Sequence, residues 1–210
     1  MHISIVDHGQ ANLFSIVSAC NALGMETRLA SSPSDFSNAS GIILPGVGAF
    51  SSSMKVLEDK DLIGPLNDVV ERGVPMLGIC LGMQMLVDES TEFGAHAGLG
   101  CISGKTVSFE GNSDFSQNSK VVNMGWLKIS TSKNDPLMAG LDGAHMYFVH
   151  SFYVKTEKEN ITAKSAHGGV TFPATIRHNS IRGCQFHPER SGAAGLRLLK
   201  NFNEISRSFA

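Results

Sequence analysis

The sequence predicts an α/β protein built on a mostly parallel sheet, with helices on both faces. Three observations carry this. Through residue 88, short apolar runs rich in β-branched residues alternate with stretches whose apolar residues recur at helical spacing. Two of the strand-like runs end in glycine-rich turns, at residues 45–48 and 78–82. Open α/β sheets place their ligands at such strand ends. After residue 100 the pattern changes to successive short strands, the pattern of added antiparallel pairs.

The elements follow in order. Residues 3–6 are apolar and β-branched and read as the first strand. Asn12 is a capping residue for a helix reaching to about Leu23, with Leu13, Ile16, Val17, Ala19 and Cys20 on one face and Gly24 as its stop. Residues 27–29 suggest a second strand, and 41–44 a buried one broken by Pro45-Gly46-Val47-Gly48. Helices are expected from Met54 and over residues 62–72, the latter ended by Gly73. Residues 75–79 read as a strand and 83–88 as a helix. Strands are then expected at 106–109, 120–123, 127–130, 146–149, 152–155, 161–165, 174–178 and 181–186. Residues 111–119 are polar and turn-rich and are expected to be mobile. A last helix, 193–205, carries Leu196, Leu199 and Phe202 on one side. Neither an internal repeat nor a linker divides residues 1–210, so one domain is expected.

Composition narrows the function. A net charge of −2 gives no electrostatic case for nucleic acid or a membrane surface. The longest apolar runs fall short of the ~18 residues of a membrane span. The start Met1-His2-Ile3-Ser4 lacks the basic region and long apolar stretch of an export signal. The four cysteines, Cys20, Cys80, Cys101 and Cys184, show no metal-knuckle or CxxC spacing. Reduced thiols in the cytosol, no metal and no cofactor are the expectation. Cys20 falls at core spacing in its helix and Cys184 in a buried strand, so both read as inert.

Chemistry concentrates in two segments. Gly78-Ile79-Cys80-Leu81-Gly82 has the strand–turn–helix spacing of a nucleophile elbow, with Cys in place of Ser. A nucleophile exposed on a strained turn needs neighbours at −2 and +2 with almost no side chain. A helix start also favours negative charge on the thiol. The second segment, Gln185-Phe186-His187-Pro188-Glu189, places His187 and Glu189 two apart on extended backbone, hence on one face. A thiol nucleophile needs an imidazole to take its proton, and the imidazole needs a third group to fix its tautomer. Cys80, His187 and Glu189 supply all three. The order Cys, His, acid differs from that of α/β-hydrolases, where the acid precedes the histidine.

With these motifs the chain resembles the class I, triad-type glutamine amidotransferases. Within that group it is similar to the glutaminase subunits of imidazole glycerol phosphate synthases. The resemblance runs through Ile5-Val6-Asp7-His8-Gly9, Asn12-Leu13, Pro45-Gly46-Val47-Gly48-Ala49-Phe50, Met124-Gly125-Trp126, Tyr147-Phe148-Val149-His150-Ser151-Phe152 and Gln185 to Gly192. It implies the flavodoxin-like three-layer fold and hydrolysis of glutamine to glutamate and ammonia. It places the oxyanion hole at the Val47 and Gly48 backbone, either formed or able to switch into place, with the Leu81 N–H as the other donor. It assigns the glutamine pocket to Gln84, Glu92, His150, Ser151 and Phe152, with Glu92 suited to the α-ammonium and His150 structural.

Released ammonia is useful only while kept from protonation by water, and the chain shows no phosphate or nucleotide loop of its own. A partner is therefore implied. By resemblance it is a (βα)₈ barrel cyclase, joined as a heterodimer through Asn12, Met124, Trp126, Tyr147 and Arg190, making imidazole glycerol phosphate and AICAR in histidine biosynthesis. The chain departs from the family pattern at His8, Gln10-Ala11, Val122-Asn123, Leu127 and His167-Gly168. These departures keep open a related subunit that supplies ammonia for amidating a surface-polysaccharide sugar. A non-catalytic scaffold is the alternative of another class, and the intact triad argues against it.

Overall fold

The computed structural model describes residues 2–209. Strand β1 (His2–Val6) opens the chain, followed by α1 (Leu13–Ala22) and β2 (Thr27–Ala30). Asn12 caps α1 by accepting the Ser15 N–H at 3.4 Å, and Gly24, at φ +64, ends it. Strand β3 spans Ala39–Gly46, so it continues through Pro45 rather than breaking at it. The β3 backbone still pairs there, with Pro45 opposite Ile79 and Gly46 opposite Cys80 of the next strand. Helix α2 (Phe50–Asp59) begins four residues before the expected Met54, because Phe50 is buried core. Helix α3 (Ile63–Glu71) and strand β4 (Met76–Cys80) follow as expected.

Two expectations need correcting. The helix expected over 83–88 is a short α4 (Leu81–Met85), and Val87–Ser90 is strand β5. The run Met83 to Val87 is apolar apart from Gln84 and too short for its period to distinguish helix from strand. Pairing decides it: β5 lies between β6 (His96–Ala97) and β7 (Ile102–Ser108). The strands expected at 120–123 and 127–130 are one strand, β8 (Asn123–Lys128), with the short β9 (Ser130–Thr131) after it. Gly125, which reads locally as a break, sits mid-strand at φ +144 opposite Phe148.

The remaining strands are β10 (His145–His150), β11 (Phe152–Thr156), β12 (Ile161–His167), β13 (Val170–His178) and β14 (Ile181–Cys184), and α5 (Gly192–Phe209) closes the chain. The 111–119 segment is turn-rich but tied down. Phe115 stacks on Phe109, Asn112 donates to the Tyr153 hydroxyl at 2.8 Å, and the Ser116 N–H reaches the Gly168 carbonyl.

The main sheet runs β2-β1-β3-β4-β14-β13-β12-β9. Its neighbours are parallel from β2 to β14 and antiparallel from β14 to β9. Alternate residues separate two cores. Ile3, Ile5, Ile43, Leu77 and Ile79 face α1 and α5, meeting Ile16, Cys20, Leu199 and Phe202. Val6, Ile42, Leu44 and Met76 face α2, α3 and α4, meeting Phe50, Leu57, Leu66 and Met83. The period of two thus delivers one apolar set to each face, giving three layers. Each fully buried Ile, Leu or Phe contributes roughly 1.5–3 kcal/mol. Among the described residues no helix is long and apolar enough to cross a membrane.

The functional consequence lies in the strand order. The parallel neighbours β3, β4 and β14 end side by side. Gly46 is opposite Cys80, and Cys184 is opposite Ile79. Segments 46–48, 80–81 and 185–187 are therefore delivered to one edge, although they are distant in sequence.

Candidate active site

Cys80 ends β4 at φ +55, a region L-residues other than Asn, Asp or His rarely enter, and the chain turns there into α4. Such strain costs on the order of 1–3 kcal/mol and persists only where surrounding packing enforces it. The flanking glycines explain the packing. A Cβ on Gly82 would stand 1.8 Å from the Leu44 carbonyl oxygen, and one on Gly78 2.7 Å from the Gly82 backbone. Gly82→Ala is accordingly expected to destabilise the fold by about 3 kcal/mol or more, since backbone cannot yield as a side chain can. An unchanged urea midpoint would refute this tight approach.

The thiol of Cys80 is almost covered and lines a cleft of about 390 Å³ with Val47, Gly48, Leu81, Gln84, Glu92, Phe93, Val149 to Phe152 and His187. Its Sγ lies 3.9 Å from the Val149 carbonyl and receives the Gln185 side-chain amide at 3.8 Å. His187 Nδ1–H donates to Glu189 Oε1 at 2.7 Å, and both side chains are buried. This bond fixes the tautomer and leaves Nε2 for the thiol. Nε2 makes no hydrogen bond here, and His187 shares the cleft with the Cys80 thiol. Burial pulls the His187 imidazole down, but Cys80 and Glu189 outweigh it and hold the group well above the usual histidine value. Glu189 Oε2 is buried without a partner, so His187 is its one counterpart in the triad.

The other thiols are chemically quiet. Burial pushes Cys20 up to about 12 and Cys101 up to about 11, and raises Cys184 well above the ordinary range.

The predicted oxyanion donors are at the cleft but not all aimed into it. Leu81 opens α4, so its N–H is one of the unsatisfied donors of a helix start. The Val47 N–H instead donates to the Gln10 carbonyl at 2.9 Å, and Gly48 follows at φ +95. The Val47 donor is thus engaged elsewhere.

The pocket residues expected from sequence converge. Buried Gln84 donates through Nε2 to the Phe152 carbonyl at 3.0 Å and to Gln185 Oε1 at 3.1 Å. Glu92 accepts the Phe50 N–H at 2.6 Å through Oε2, at the positive end of α2, while lining the cleft. His150 is held at both ring nitrogens. Its Nδ1–H donates to the Phe152 carbonyl, Nε2 accepts from Asn123, and burial drives it down to about 3, so it stays neutral.

Two residues escaped the sequence reading. Gln185 was legible, since it sits two before His187 on extended backbone and so shares its face. Phe93, 88% exposed at φ +54 on the cleft rim, carried no sequence signal beyond the adjacent Gly94.

Of the five expected interface residues, four gather outside the cleft. Met124 and Trp126 are exposed on β8, and Tyr147 faces Trp126 across the β8–β10 pair with ring centroids 6.1 Å apart. The Arg190 guanidinium lies 5.1 Å above the Tyr147 ring. Asn12 caps α1, which packs beside the Pro188–Arg190 turn. The His187 N–H donates to the Tyr147 carbonyl at 2.9 Å, so the patch connects to the imidazole through one backbone bond.

The pattern described as glutamine amidotransferase class-I matches residues 4–205. The imidazole glycerol phosphate synthase subunit HisH of Geobacillus kaustophilus (strain HTA426) is 40% identical over 204 residues, 97% of each chain. The HisH subunit of Desulfitobacterium hafniense (strain Y51) is 42% identical, over 96% of this chain and 93% of its own. That of Geobacter sulfurreducens is 41% identical, over 97% and 98%. In three dimensions, a crystal structure of a glutamine amidotransferase overlays with a TM-score of 0.75 at 18% identity, covering 99% of this chain and all of that one. The structure of PurLQS from Thermotoga maritima gives 0.73 at 19% identity, covering 96% of both. Alike in sequence over nearly its whole length and in its three-layer fold, the chain belongs to the class-I glutamine amidotransferase family.

Proposed function

We propose that residues 1–210 form one glutaminase domain, the ammonia-producing subunit of an imidazole glycerol phosphate synthase. The observation that carries the chemistry is a thiol on a strained turn, within the same cleft as a buried imidazole that a carboxylate orients. The near-full-length likeness to the HisH subunits supports the pathway.

In this reading Cys80 Sγ attacks the amide carbon of glutamine, forming a C–S bond and an oxyanion. His187 donates its Nε2 proton to the amide nitrogen, the C–N bond breaks and ammonia leaves. Water, deprotonated by the now neutral His187, attacks the thioester, releasing glutamate and restoring the thiolate. Gln185 supports negative charge on Sγ by donating to it. Glu92 has a second carboxylate oxygen for the α-ammonium of the substrate. The Leu81 N–H receives the oxyanion, and Val47 joins once its bond to Gln10 opens. The partner is a (βα)₈ barrel cyclase, docked on the patch of Met124, Trp126, Tyr147 and Arg190, which takes the ammonia and yields imidazole glycerol phosphate and AICAR.

A missing oxyanion donor lowers kcat by about 10²–10³. The free chain is therefore expected to hydrolyse glutamine slowly, and the cyclase with its ribulosyl aminoimidazole-carboxamide nucleotide to raise kcat on the order of 10²-fold. Glutamate release is measured for the chain alone, with cyclase, and with cyclase plus nucleotide. Full activity in the free chain would sink the switch. Absence of both stimulation and complex would move the acceptor to a sugar-amidating enzyme.

A further inference from the structure

Behind the Cys80 thiol runs a chain of buried hydrogen bonds whose direction is fixed at one end. That end is the Phe152 carbonyl. It accepts from His150 Nδ1–H at 2.7 Å and from Gln84 Nε2 at 3.0 Å, so both its lone pairs are taken. The His150 donor is itself set, because Nε2 accepts from Asn123 Nδ2 at 2.9 Å. The second N–H of Gln84 goes to Gln185 Oε1 at 3.1 Å. With its oxygen so engaged, Gln185 turns Nε2 toward Cys80 Sγ, 3.8 Å away. Gln84 is buried and Gln185 wholly so. A carbonyl only accepts, so a flipped Gln84 amide would set oxygen against oxygen at Phe152. A flipped Gln185 would set donor against donor at Gln84 and turn its oxygen on the sulfur. Either flip leaves buried polar atoms without partners, which costs more than the bonds themselves contribute. A second polar neighbour of Sγ, the Val149 carbonyl at 3.9 Å, is an acceptor and suits the thiol rather than the thiolate.

We propose that Gln185 is a catalytic residue, a donor to Cys80 Sγ whose polarity is imposed by the Phe152 carbonyl through Gln84, and that Gln84 is its positioning residue. The proposal rests on the glutaminase reading above and adds a relay that acts twice in turnover. Before attack, the Gln185 N–H supports negative charge on Sγ. In the second half-reaction water adds to the thioester, the C–S bond breaks and its electron pair returns to Sγ, where the same N–H receives it. Gln185 transfers no proton in either step. A hydrogen bond to a charged group is worth on the order of 10–100-fold in such an equilibrium.

The test is alkylation of Cys80 by iodoacetamide in the full-length chain, followed by peptide mass mapping, together with glutamate release. Gln185→Met keeps the side-chain length and removes the donor. Gln84→Leu breaks the relay one bond further away, at a residue that makes no hydrogen bond to Sγ. Alkylation at neutral pH is expected to slow about tenfold in Gln185→Met and about fivefold in Gln84→Leu. In Gln185→Met, kcat is expected to fall on the order of 10–100-fold, with KM for glutamine changed by less than about twofold. A merely structural role predicts the opposite sign: loosened packing exposes the buried thiol, speeds alkylation and lowers the unfolding midpoint. A wild-type or faster alkylation rate in either variant overturns the relay. Alkylation needs no glutamine, so that failure is separate from the failure of the glutaminase reading, which wild-type glutamate release by Cys80→Ala would bring about.

Discussion

Cys80→Ala is expected to abolish glutamine-dependent synthesis by the complex and to leave synthesis from added ammonium at the wild-type rate. The thiol serves ammonia release alone, and ammonium from solution bypasses it. The substitution removes one atom at a 5% exposed site and keeps the Cβ, so the elbow formed by Gly78 and Gly82 stays packed. A folding defect would lower both activities; selective loss isolates the chemistry. Glutamine use near the wild-type level in this variant would remove Cys80 from the mechanism.

The second large effect is at His187. His187→Ala is expected to lower glutaminase kcat on the order of 10⁴-fold or more, because a triad acts as a unit. Glu189→Gln is expected to be severe but milder. It keeps a group near Nδ1 while losing the charge that holds the proton there at 2.7 Å. A coupled glutamate assay showing near-full activity in both variants would refute the triad. The raised proton affinity of His187 also sets a pH dependence. Its cause opposes burial: the neighbouring Cys80 and Glu189 favour the imidazolium and lift the group to about 10. The imidazolium is the proton donor to the leaving nitrogen. The alkaline limb of the kcat profile is therefore expected far above the ordinary histidine value of about 6.5. The same shift contributes stability that is complete below about 6.5 and is lost as pH rises through about 10. An alkaline limb near the ordinary value would mean that the Cys80–Glu189 environment does not hold the proton.

Much of this was legible in the chain itself. The alternation of period-two and helical segments fixed the α/β class, because side-chain direction follows directly from backbone period. Gly78 and Gly82 marked the elbow, since nothing larger fits against Leu44 and the α4 backbone. His187 and Glu189 shared a face by their spacing of two. What the chain could not determine locally was pairing. The apolar run after Cys80 suits helix or strand equally, and only β7 and β6 on either side make Val87–Ser90 a strand. Gly125 reads as a break until β10 supplies its partner at Phe148. The same limit applied at the site. The family resemblance implied Val47 as an oxyanion donor, but the direction of its N–H depends on which carbonyl comes near. That carbonyl belongs to Gln10, some forty residues away in sequence. Covalent neighbours set which conformations are allowed. Only the assembled tertiary structure, by bringing distant donors and acceptors within hydrogen-bond range, selects among them.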